Sequence, residues 1–218
     1  MSEYIVIGLG RFGRSLAIEL QSLGHEVLGV DVDRQTIQEM SGSIRQAIEA
    51  DATAEQTLRE LDVSALDAAV VAIGDPEASI MVALLLKKLE VPYVIARATS
   101  ELHDEILVRV GADRVVFPEK ETALRLAHGI AVPEIVDYLS LSTDMGISKL
   151  VVPEHLIGQS YSGTDLEQKF KVRIVAVIRR DRVLFGASVG EKFERHDTLI
   201  VSGRDSDLRA LSQIAQES

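Results

Sequence analysis

The feature that most constrains the fold is Gly8-Leu9-Gly10-Arg11-Phe12-Gly13, which follows the apolar run from Tyr4 and opens a segment of helical periodicity. The G-x-G-x-x-G pattern alone is weak, but between a strand and a helix it specifies a phosphate loop. Gly8 permits the tight turn. Gly10 lets the backbone approach a pyrophosphate, and Gly13 lets the helix sit close to the strand. The helix end then offers unpaired N–H groups and a positive dipole end to the phosphates.

Beyond the loop, Tyr4–Gly8, Val27–Asp31, Gln46–Glu49, Ala68–Ile73, Tyr93–Arg97 and Arg114–Phe117 read as strands separated by helical patterns. Six such runs predict an α/β, Rossmann-like, doubly wound parallel sheet. The first helix carries Phe12, Leu16, Leu20 and Leu23 as its inward stripe, and Gly24 stops it. Thr53 and Gln56 have capping-box spacing. Pro76 and Pro118 stand where first-turn prolines are tolerated.

After Pro133 the pattern changes. Glu134–Leu141 reads as a helix and 142–146 as a linker. A small α+β domain then runs through strand 148–152, helix 164–170, strand 172–178, a turn at 179–181, strands 182–185 and 198–202, and helix 206–215. The expected division is therefore 1–133 for nucleotide binding, 134–146 for the crossover, and 147–218 for the C-terminal domain.

The net charge of −11 argues against a nucleic-acid partner, whose binding needs clustered Lys and Arg. The absence of cysteine excludes disulfides and thiol chemistry. The longest apolar run, Ile80–Leu86, ends at Lys87 and Lys88, short of the ~20 residues that span a bilayer. Met1 leads straight into a strand, with no room for a cleavable signal. A soluble, cytoplasmic protein is expected.

Asp31 ends the second strand at the position where an acid takes ribose hydroxyls, and its charge disfavours a 2′-phosphate despite nearby Arg34. Asp33 reads as the N-cap of the following helix. Asp51-Ala52 and Ile73-Gly74 follow the third and fourth strands, at the carboxyl edge where ligands collect in open α/β sheets. Each pair can border an adenine, and Asp51 can equally cap a helix. Arg11 leaves two readings, a contact to a polyphosphate or a solvated surface arginine. Arg97 is a second phosphate or subunit contact with the same alternative.

No acid/base group is poised beside such a ligand. The Tyr-x-x-x-Lys pairing of short-chain dehydrogenases fails at all four tyrosines, and the five histidines lack ligand spacing.

The loop Gly8–Gly13, Val30-Asp31, Ala72-Ile73-Gly74 and the segment Gly111-Ala112-Asp113-Arg114-Val115-Val116-Phe117-Pro118-Glu119-Lys120 together resemble KtrA/TrkA-type RCK (KTN) regulators of bacterial potassium uptake. The second segment is far more specific than the glycines. The resemblance covers both halves of the chain. It implies a cytosolic ring, typically an octamer of eight subunits built from dimers, at the inner face of the plasma membrane beneath a KtrB/TrkH-like potassium translocator. ATP or ADP, and in some members NAD or NADH, bind the N-terminal domain and set the ring's shape. The arginine matching Arg11 reaches the terminal phosphate. The glutamate matching Glu119 lies by the nucleotide at the dimer interface, a place for a divalent or sodium cation. Asp31 and Asp51 carry over as nucleotide contacts. Some relatives bind cyclic di-AMP through a segment resembling 156–174, but an arginine usual there is replaced by Glu167, whose charge would repel a phosphodiester.

The expected function is a nucleotide-sensing regulatory subunit without enzymatic activity. The alternative is an NAD(H)-binding oxidoreductase or NADH-sensing regulator, which the glycines and Asp31 support and the missing acid/base group opposes. A redox-sensing repressor would need a basic DNA-binding module.

Overall fold

A computed structural model describes residues 2–131, 135–161, 166–180, 182–185 and 191–214. In the first half, β1 (Glu3–Ile7), β2 (Glu26–Asp31), β3 (Gln46–Glu49), β4 (Ala68–Val71), β5 (Val94–Arg97) and β6 (Arg114–Val116) alternate with helices. The helices are α1 (Arg11–Ser22), α2 (Arg34–Met40), α3 (Glu55–Glu60), α4 (Pro76–Lys88) and α5 (Glu101–Arg109). The strands form one parallel sheet in the order β3-β2-β1-β4-β5-β6, a doubly wound sheet as expected from the sequence. Its direction of winding reverses between β1 and β4.

Helices cover both faces, so the central strands are apolar where they are buried, as in the last three residues of β1 and all four residues of β4. Ile5, Ile7, Val71 and Leu86 belong to the larger core cluster, while Val6, Leu9, Ala17 and Val70 belong to the other. Asp33, Asp75 and Ser100 cap α2, α4 and α5, accepting backbone N–H bonds, and Pro76 opens α4. Gly111 adopts a left-handed φ of 102° beyond α5, and Asp113 accepts the Val94 N–H at 2.7 Å while pairing with Lys87. The Gly-Ala-Asp part of the sequence segment thus joins α4, β5 and β6.

Two local expectations are corrected here. The inward residues of α1 are Gly13 and Ala17, flanked by half-buried Leu16 and Leu20, whereas Leu23 is exposed beyond the helix. The close approach of helix to sheet leaves room on the contact line only for small residues. Thr53 is not an N-cap: α3 starts at Glu55 behind Ala54, and Gln56 donates to Glu60 instead. The Asp51 carboxylate takes both the N–H and the hydroxyl of Thr53, which closes a turn and displaces the helix start.

The chain divides into two compact units, one ending at Pro118 and the other starting at Glu119. In the second, α6 (Pro118–Ala131) precedes β7 (Ile135–Ser140), β8 (Met145–Val151), α7 (Leu166–Phe170), β9 (Arg173–Arg179), β10 (Arg182–Phe185), β11 (Thr198–Arg204) and α8 (Asp205–Ile214). These strands form an antiparallel sheet in the order β10-β9-β11-β8-β7. The helix expected over Glu134–Leu141 is therefore a strand. An irregularity between Ile135 and Asp137 breaks the inside-outside alternation, so the buried residues are Ile135 and Tyr138. Three-residue spacing of this kind imitates a helix in the sequence. The expected linker 142–146 is mostly the turn of the β7–β8 hairpin, closed by the Leu141 and Ser142 N–H groups donating to the Met145 carbonyl. Gly146 is required beneath Tyr138, since a Cβ there would stand 2.4 Å from the ring. Expectations resting on Pro133, Glu134, Thr164, Asp165, Asp181 and Ala215 fall outside the described residues.

Candidate functional site: a cavity at the carboxyl edge of the parallel sheet

A cavity of about 460 Å³ opens where the winding of the first sheet reverses. Ile7, Val30 and Ala72 give it an apolar floor, and the loops after β1, β2, β3 and β4 form its walls. Gly8, Gly10, Asp31, Asp51, Ala52, Ile73, Gly74 and Arg97 all line it, so these eight residues converge although they come from five separate loops or strand ends. Its size suits a small organic ligand.

The three loop glycines do different things. Gly8 has φ 91°, and a Cβ on it would lie 2.9 Å from the backbone of Ala72 and Ile73. At Gly13 a Cβ would lie 1.9 Å from the Gly8 carbonyl oxygen, so this residue sets how close α1 sits to β1. Gly10 is the N-cap of α1 with an ordinary φ of −63°, and a Cβ there would meet nothing within 4 Å. Gly10 is thus the open side of the loop, and the first turn of α1 beyond it has N–H groups with no partner in the helix. Open space before free donors is what an anionic group needs.

Asp31 stands at the hub of the walls. One carboxylate oxygen accepts the Leu9 N–H at 2.6 Å and the other the Asp33 N–H at 2.9 Å, while its carbonyl accepts the Ala50 N–H at 2.9 Å. Asp51 accepts the Thr53 hydroxyl at 2.7 Å and its N–H at 2.9 Å, which hold the carboxyl below its ordinary pKa. Both acids keep lone pairs for a ligand's hydroxyl or amino groups. Arg97 is the one basic residue in the lining.

Sequence reasoning left out Thr53, Asp75 and Ala78. Asp75 caps α4 by accepting the Ala78 N–H at 2.9 Å, so a second helix start borders the cavity. The Asp75-Pro76 pair, directly after Ile73-Gly74, was the available signal. Arg11, Phe12 and Gly13 do not line the cavity. Arg11 is exposed at the first position of α1, Phe12 is half-buried and Gly13 is buried beneath the loop. Glu119 is exposed near the start of α6, in the other unit. Among the described residues no three His, Cys, Asp or Glu side chains gather as a metal cluster. No described helix is long and apolar enough to cross a membrane. Glu167 pairs with Arg173 at 2.8 Å and accepts the Ile174 N–H at 3.0 Å. Residues 162–165 of the segment considered for cyclic di-AMP lie outside the described residues.

These features define a Rossmann-like binding unit joined to a small α+β unit. Residues 4–118 match the TrkA-N domain and residues 147–216 the TrkA-C domain. The chain is 35% identical over 207 residues to the Ktr system potassium uptake protein C of Bacillus subtilis (strain 168), covering 94% of each protein. It is 30% identical to the Ktr system potassium uptake protein A of Vibrio alginolyticus, again over 94% of both. Among solved structures, the GsuK channel bound to NAD shares the fold with a TM-score of 0.71 at 18% identity, over 98% of this chain and 39% of the channel's. The chain belongs to the KtrA/TrkA-type RCK family of bacterial potassium-uptake regulatory subunits.

Proposed function

We propose that the protein is a nucleotide-sensing regulatory subunit that controls a membrane potassium translocator and catalyses no reaction. The observation that carries this reading is the convergence of Gly8, Gly10, Asp31, Asp51, Gly74 and Arg97 on one cavity at the winding reversal of the first sheet, in a chain whose relatives belong to potassium uptake systems. Adenine would lie between the Asp51-Ala52 and Ile73-Gly74 turns, the ribose hydroxyls at Asp31, and the phosphates over Gly10 and the start of α1. The ligand is ATP or ADP, with NAD or NADH as the alternative. None of the lining residues stands as a general base with a partner to orient it.

The sites outside the cavity belong to the assembly. Arg11 would meet a terminal phosphate, and Glu119 would approach the nucleotide or a cation across a subunit boundary. Both roles need a ring of dimers, seated in the cytoplasm against a KtrB/TrkH-like partner. The division 1–133, 134–146 and 147–218 would then separate sensing, crossover and C-terminal parts, with the crossover made of hairpin rather than helix. Regulation follows from unequal affinity of ATP and ADP for two ring shapes, since a ligand that binds both equally shifts nothing.

The test is calorimetry of ATP, ADP and NADH on the full chain, paired with small-angle scattering of the assembly. One adenine nucleotide per chain, with different scattering for ATP and ADP, is expected. Failure of all three to bind at millimolar concentration would refute the reading, and steady oxidation of NADH with small carbonyl compounds would replace it by the oxidoreductase.

A further inference from the structure

The position of Asp31 carries more than a ribose contact. Its carboxylate spans two loops, accepting the Leu9 N–H from the glycine loop and the Asp33 N–H from the turn into α2. Its carbonyl ties in the third loop through the Ala50 N–H. Leu9 is fully buried, its side chain packed in the cluster with Val6, Ala17 and Val70. The loop is thus anchored by an apolar side chain below and by a charge-assisted bond to its backbone. Between these anchors Gly8 and Gly10 keep the shape that leaves the cavity open. A backbone N–H facing a carboxylate at 2.6 Å is among the stronger hydrogen bonds a protein makes.

We propose that Asp31 is a positioning residue as well as a ribose acceptor: it holds the glycine loop ready for phosphates before any ligand arrives. The inference rests on the nucleotide reading above. It differs from a ribose role alone because the clamp acts on the phosphate end of the ligand, and so matters even when the ribose hydroxyls are gone. Asp31→Asn keeps the size of the side chain but turns one of its two acceptor positions into a donor. One of the two backbone N–H groups then loses its partner.

The experiment is calorimetry of ATP and 2′,3′-dideoxy-ATP on the wild-type and Asp31→Asn full-length proteins, with amide hydrogen exchange followed at Leu9 and Asp33. The variant should bind dideoxy-ATP about ten-fold more weakly or worse, the scale of one charge-assisted bond, and ATP more weakly still. The extra loss for ATP reports the ribose, which a purely structural role would not produce. If dideoxy-ATP binds both proteins equally, the clamp is refuted. Equal losses for the two ligands would refute the ribose role and leave only the clamp. Wild-type protein that binds neither ligand would instead refute the nucleotide reading. Should the variant fail to fold, exchange in ligand-free wild type decides. The Leu9 amide should be as protected as those of β1, and rapid exchange there would overturn the proposal.

Discussion

In the first sheet the middles of the central strands are apolar on both faces, and the polar groups stand at the strand ends, those of the cavity at the carboxyl edge. In the second sheet, β8 and β11 alternate buried and half-exposed positions, and the strongest charges are drawn inside. Arg179 on β9 grips the buried Asp197 through two nitrogens, at 2.9 and 2.8 Å, and also donates to the Tyr161 hydroxyl and the Lys192 carbonyl. Burial raises the Asp197 pKa, but the Arg179 hydrogen bonds, the Glu194 N–H and the guanidinium charge outweigh it and hold the carboxyl below its ordinary value. Its hydrogen bonds to Asp197 raise the Arg179 pKa in turn. The second unit thus satisfies its buried carboxylate internally, whereas the first presents donors and acceptors to a cavity. Under the proposed function, the difference separates a scaffold from a sensor.

The largest expected effect tests the scaffold. Arg179→Met leaves Asp197 buried without its cation and should cost ~3–5 kcal/mol in thermal unfolding of the full chain. In the wild type, a depressed carboxylate contributes stability that is complete above the unfolded pKa of ~3.9 and is lost as pH falls through the lower folded value. Acid unfolding of this unit should therefore begin below about pH 4. A transition well above that pH would show that other groups govern it.

On the sensor side, Gly13→Ala places a methyl group against the Gly8 carbonyl, which only a shift of α1 can relieve. It should destabilise the first unit by ~3 kcal/mol, the upper range for overpacking, and a Tm near that of the wild type would show that α1 slides freely.

A smaller effect is expected at Arg11, since under the proposed function the loop would serve ATP and ADP alike and only a group beyond it could tell them apart. Arg11→Ala should weaken ATP by ~1.5–3 kcal/mol and leave ADP nearly unchanged in calorimetry. Equal losses would make Arg11 a general contact and put the switch elsewhere.

Six strands, the glycine loop and eight cavity residues were legible because the parallel sheet writes local signals: apolar runs, a turn at each strand end and a cap such as Asp33. The hairpin around Tyr138 was not, because an irregular strand buries Ile135 and Tyr138 at helical spacing. Nor was the clamp made by Asp31, since its bond to Leu9 joins residues 22 positions apart and depends on the sheet being formed. Arg11 and Glu119 lie outside the cavity, and the roles proposed for them rest on family resemblance and, for Arg11, on its place in the glycine motif.

The most direct test of the sensor is at Gly10, the one loop glycine with open space before it. Gly10→Asp supplies an N-cap to α1, so stability should stay within ~0.5 kcal/mol of wild type. The new carboxylate would take the same N–H groups that a phosphate needs. Calorimetry of ATP and ADP on this variant, beside its thermal unfolding, should show an intact fold and affinity lost by about a hundred-fold or more, as for several kcal/mol of lost hydrogen bonds and added repulsion. Unchanged nucleotide affinity in the folded variant would contradict the account, because the phosphates would then lie somewhere other than the start of α1.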